Sequence, residues 1–86
     1  MFHRITATFD QGSWERIINT EFLVCIDPYQ DEHEMYIRFQ LTTEQIAFVY
    51  TNLEHMMQDY SRLANNLGQE YTNVHTIITP KSCKEL

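Results

Sequence analysis

Glycine and proline are scarce in this chain, two of each in 86 residues, which excludes a flexible linker, a collagen-like repeat or a low-complexity tail. Two cysteines, Cys25 and Cys83, are too few for the disulfide framework of a small secreted domain. No apolar run approaches the roughly 18 residues that a membrane helix needs. The opening Met1-Phe2-His3-Arg4-Ile5-Thr6 lacks the apolar stretch of a secretory leader, so the sequence predicts a cytoplasmic protein, in the host cytoplasm if viral. Basic residues are few as well, six Lys and Arg against twelve Asp and Glu. Residues 1–80 carry a formal charge of −7 and the last six residues +1. A body of that charge repels phosphate backbones, because nucleic-acid affinity comes largely from Lys and Arg displacing counterions. Direct nucleic-acid binding is not expected, and the same field attracts a basic protein surface.

What is present is a core. Leu, Ile, Val and Phe make up 22 of the 86 residues, enough for one small folded domain. That domain is expected over 1–80, with 81–86 as a polar tail. The apolar run Phe22-Leu23-Val24-Cys25-Ile26 places Cys25 as a small buried hydrophobe, whereas Cys83 lies exposed in the tail.

The alternation of Met35, Ile37, Phe39 and Leu41 with Tyr36, Arg38 and Gln40 predicts a half-buried strand. Glu21 to Asp27 is apolar on both faces and predicts a central or doubly covered strand. Asp27-Pro28-Tyr29-Gln30-Asp31 has turn chemistry and joins the two as a hairpin over 21–41. Ile5, Ala7 and Phe9 predict an N-terminal strand, and Tyr71 to Thr79 a final one. Thr42 and Gln45 fit a capping box, with Leu41 and Ile46 as a hydrophobic staple. Ile46, Val49, Leu53, Met56, Tyr60, Leu63 and Leu67 then recur at spacings of three and four until Gly68, which predicts one long helix over 43–67. Residues 13–20 suit either a helical turn or a strand. A strand there, with a turn at Asp10-Gln11-Gly12-Ser13, is the preferred reading, because seven residues make a poor crossover. The fold class is therefore α+β, an antiparallel sheet packed on one long helix, with a ferredoxin-like βαββαβ order as the alternative.

A helix over 43–67 would span about 37 Å, against about 24 Å for a strand such as 35–41. Its apolar stripe then overhangs the sheet, and a second copy would cover it. The expected homodimer interface is Met56, Tyr60, Leu63 and Leu67, unless the N-terminal hairpin or final strand covers that end.

Chemistry-bearing motifs are absent. His3, His33, His55 and His75 fall on different elements with no metal-ligand spacing, and His55 and Asp59, one turn apart, read as a surface pair. No metal or cofactor is expected. Ser13, Ser61 and Ser82 sit in no nucleophile elbow and there is no phosphate loop. Asp27, Asp31, Glu32 and Glu34 crowd into eight residues without the glycine or spacing of a calcium loop. They read as a solvated hairpin tip able to meet a basic partner. Phe48 lies off the helical stripe on the side of His55, and reads either as an exposed anchor for a partner or as a residue under the N-terminal segment. Together these features predict a small acidic, non-enzymatic protein-binding module. It would inhibit or regulate another protein in the format of a viral or mobile-element product, with mimicry of nucleic-acid charge as one version. The rival readings are a structural or adaptor subunit of a larger assembly and a small enzyme without a recognisable motif.

Overall fold

The computed structural model describes residues 2–67 and 74–86. Strands β1 (Phe2–Phe9) and β2 (Gly12–Asn19) form an antiparallel hairpin through Asp10 and Gln11. Gly12 closes that turn at φ +152°, in the left-handed half of the map where a side chain is disfavoured. A short 3-10 turn, Thr20–Phe22, begins with the Asn19 side chain accepting a hydrogen bond from the Glu21 N–H. Strands β3 (Leu23–Gln30), β4 (Met35–Leu41) and β5 (Gln45–Tyr50) follow as a meander, then helix α1 (Leu53–Leu67), β6 (His75–Ile78) and β7 (Ser82–Glu85). The strands make two sheets, ordered β2-β1-β6 and β3-β4-β5-β7. β6 runs parallel to β1, and the other pairings are antiparallel. Among the described residues this is a small α+β fold with two sheets and a single α-helix, rather than one sheet on one long helix. Residues 13–19 are strand, so the crossover helix that a βαββαβ order requires there is replaced by a hairpin.

The period-2 pattern of β1 turns His3, Ile5 and Ala7 inward, while Phe2, Arg4 and Thr8 stay exposed. β4 does the same with Ile37, Phe39 and Leu41. The inner faces of both sheets meet in one cluster that includes Ile5, Ile18 and Ile78 from the first sheet and Ile37, Phe39, Ile46, Phe48 and Tyr50 from the second. Met56 and Leu63 of α1 close it.

The long helix is the largest correction. Residues 45–50 are strand, because Ile46, Phe48 and Tyr50 obey period 2 and pair with β4 in register Phe39↔Ile46, Ile37↔Phe48 and Met35↔Tyr50. Ile46 and Val49 extend the true helical spacing only by coincidence. The real N-cap is Asn52, whose Oδ1 accepts the His55 N–H at 3.0 Å, while the Met56 N–H bonds the Asn52 carbonyl. The 15-residue helix is about 22 Å long, so over the described residues it does not outrun the sheet. Met56 and Leu63 are buried against the chain's own sheets, and Tyr60 and Leu67 are half-buried on the same core. The geometric argument for a helix-mediated dimer is thereby removed.

β3 is an edge strand and not a covered one: Val24 is 59% exposed and Cys25 is exposed. Val24 forms a bulge between Leu23 and Cys25. Pro28, expected in a turn, lies within β3, which an edge tolerates because no N–H is needed on the open side. The turn is at Asp31–Glu34, closed by Asp31 N–H to the Glu34 carbonyl at 2.9 Å. Residues 82–85, expected in a free tail, add β7 to the open side of β5. The strand expected over Tyr71–Thr79 is observed as β6, His75–Ile78, and is not the last; its expected start at Tyr71 and the helix stop at Gly68 lie outside the described residues. No described helix is long and apolar enough to cross a membrane.

Candidate functional site

The β3–β4 hairpin holds the four nominated carboxylates in three different states, with Asp31, Glu32 and Glu34 on its turn and Asp27 back within β3 opposite Arg38. Asp27 is clamped by Arg38, whose Nε and Nη2 donate to its two oxygens at 3.1 and 2.9 Å. Glu34 accepts from Lys84 Nζ at 2.8 Å. Asp31 is held by its own turn: its Oδ1 accepts the N–H groups of His33 and Glu34, both at 2.8 Å, and its Oδ2 accepts the Tyr29 hydroxyl at 3.0 Å. Those donors keep its carboxyl below the ordinary range, backbone N–H groups first. Glu32 is exposed on the same turn. Beneath it Tyr29 stacks on Tyr36 at 4.7 Å between centroids, and Lys84 Nζ lies 5.9 Å from the Tyr36 ring centre. The tip is therefore anionic and conformationally preset.

The cations are mostly paired with carboxylates of the chain itself. Arg4 pairs with Glu15, Arg16 with Glu44, Arg38 with Asp27, Arg62 with Asp59 and Lys84 with Glu34. Only Lys81 has no carboxylate at ion-pairing distance among the described residues.

The other nominated residues do not join the tip. Phe48 is fully buried, edge-on to Trp14 and Phe39 at 5.3 Å each. Of its two readings, the one beneath the N-terminal hairpin holds. His55 is exposed on the first turn of α1 and lines a shallow depression with Asp10, Thr79 and Lys81. Its supposed surface partner Asp59 is buried at 3% exposure. Asp59 Oδ2 accepts the Tyr50 hydroxyl at 2.8 Å and the Thr79 N–H at 2.9 Å, while Oδ1 lies 3.4 Å from Arg62 Nη1. Burial and this carboxylate push the Tyr50 hydroxyl well above its usual range. The cluster ties α1 to β5 and to the chain beyond β6. A second buried link joins His3 Nε2 to Thr76 Oγ1 at 2.8 Å, and the Asn66 amide donates to the same hydroxyl at 3.0 Å. Burial first, then the nearby His75, lowers the His3 pKa.

On the open face of the first sheet, Thr6 Oγ1 lies 2.7 Å from His75 Nε2 and 3.3 Å from Glu15 Oε2. Both contacts are solvent-exposed, and Glu15 also faces Arg4 at 3.6 Å, so this is a polar cross-strand ladder. Burial pushes the Cys83 thiol up, which leaves little thiolate. Among the described residues no group of three or more His, Cys, Asp or Glu is arranged to hold a metal ion.

Sequence reasoning missed one feature entirely. A groove of about 740 Å³ runs between β2 and β7, floored by Phe9, Trp14 and Ile46. Its far wall is the segment Lys81–Glu85, whose polar composition carries no strand signal. No protein-family model, curated protein or solved structure matches this chain.

Proposed function

We propose that this chain is a small non-enzymatic protein-binding module that inhibits or regulates a partner bearing a basic surface, and that the β3–β4 tip makes the contact. The observation that carries this reading is the division of charge. Five of the six cations are neutralised by the chain's own carboxylates, whereas Asp31 and Glu32 stay exposed on a turn. Four hydrogen bonds make that turn rigid before any partner arrives. A preset anion loses little entropy on binding, and an acidic field with few free cations speeds encounter with a basic surface and disfavours acidic ones. Occupation of a basic groove that otherwise holds nucleic acid is the version of this reading with the strongest charge match.

The test is affinity capture with the immobilised chain from cells of its source, comparing wild type with Asp31→Asn/Glu32→Gln. The Asn keeps the acceptor that the turn requires while removing its charge. Wild type is expected to retain a basic protein whose capture declines as salt rises from about 0.05 to 0.5 M, and the double variant to lose it. Equal capture by both proteins would refute the tip as the contact.

A further inference from the structure

Among the described residues β2 pairs only with β1, and β7 only with β5, so each presents one backbone edge without a strand partner among them. The groove floored by Phe9, Trp14 and Ile46 lies between these two edges. On β7 the direction of the open groups follows from one hydrogen bond. The Leu86 N–H donates to the Gln45 carbonyl at 3.0 Å, and bond-exchanging positions alternate along an antiparallel pair. Ser82 and Lys84 therefore share the side that faces β5, and the N–H and C=O groups of Cys83 and Glu85 point away from it. Unpaired edge groups beside an apolar floor are the recognition chemistry of an added strand, and the volume suits a few side chains.

Charge selects the kind of strand. Arg16 and Lys84 also line the groove, but Glu44 and Glu34 already neutralise them. Lys81, at the head of β7, is the cation left open among the described residues. Asp10 shares that rim beyond ion-pairing distance. Glu85 stands at the opposite end of β7, where it repels an acidic group. We infer that the groove receives an extended segment of a partner protein, laid along β7, with an apolar side chain over Trp14 and Ile46 and a carboxylate at the Lys81 end. This rests on the reading of the chain as a protein-binding module, on a surface other than the Asp31–Glu32 turn.

Trp14 is the sole tryptophan and lines the groove, so its fluorescence reports this site alone. The probes are blocked pentapeptides of alternating Val and Thr that carry one Glu at either end, with matched controls in which Lys replaces Glu or alternate backbone amides are N-methylated. Titrated to about millimolar concentration, a Glu probe is expected to shift Trp14 emission and the amide resonances of Cys83 and Glu85. Lys81→Glu should weaken that probe by about tenfold, and the Lys-bearing control should bind less well to the wild type. N-methylation should abolish the response. Asp31→Asn/Glu32→Gln should leave the titration unchanged while losing partner capture, which separates failure of the groove from failure of the tip. The inference is overturned if no Glu probe moves Trp14 and the two amides, if the N-methylated peptide binds as well as its parent, or if Lys81→Glu has no effect.

Discussion

Asp59 and Asp31 are two carboxylates with nearly the same partners in opposite surroundings. Each accepts a tyrosine hydroxyl and backbone N–H donation: Tyr50 and Thr79 for Asp59, Tyr29 with His33 and Glu34 for Asp31. Asp59 is almost completely shielded by α1, β5 and the chain after β6, whereas Asp31 stands in solvent at a hairpin tip. Similar hydrogen bonds therefore serve different ends. In the interior they satisfy groups that would otherwise be buried without partners, so their loss is expensive. At the tip, water replaces any bond that is lost, and their contribution is to hold an anion in one orientation.

The largest effect should come from the buried member of the pair. Asp59→Ala strands the Tyr50 hydroxyl and should lower the unfolding free energy by about 3 kcal/mol, read as a reduced urea midpoint. A loss well under 1 kcal/mol would show that the two carboxylates do not differ as described. An intermediate effect is expected from pH acting on the other buried link. Because the folded state lowers the His3 pKa, the unfolded chain takes up a proton first as pH falls. The associated stability is complete above the ordinary value of 6.5 and declines as pH drops from there toward the folded pKa. Urea midpoints at neutral and mildly acidic pH should show this slope in the wild type and a flatter one in His3→Gln; equal slopes would contradict it. Asp31 adds nothing in that window, since its carboxyl titrates below the ordinary carboxylate range. The smallest effect is Asp31→Ala, which should leave the urea midpoint almost unmoved while broadening the amide signals of His33 and Glu34. A large drop in the midpoint would mean that the tip belongs to the structural framework.

Much of the fold is legible residue by residue. The alternation in β1 and β4, the hairpin at Asp10-Gln11-Gly12 and the helical stripe Met56, Tyr60, Leu63 and Leu67 all follow from local periodicity, because each element shows one face to a shared interior. The error over 43–52 has an equally local cause. Ile46 and Val49 happen to fall on helical spacing with Leu53, and Thr42 and Gln45 imitate a cap. Phe48, off that stripe, was the signal that period 2 governed the segment, and Asn52 was the genuine cap. Pro28 similarly marked β3 as an edge, although the apolar run before it suggested a covered strand. Of the candidate site, the acidic tip was visible as crowded carboxylates. The groove was not, because its wall Ser82-Cys83-Lys84-Glu85 has neither apolar alternation nor turn chemistry.

Local pattern thus determined that β1, β2 and β4 extend, that residues 53–67 carry a helical stripe and that the body is acidic, since these depend on neighbours a few residues apart. Tertiary structure alone decided that Asp59 is buried and Asp31 open, that residues 82–85 become a strand, and that two sheet edges enclose a groove. Those outcomes depend on which distant segments supply a hydrogen-bonding edge or exclude water, and neither is encoded in the residues that respond to it.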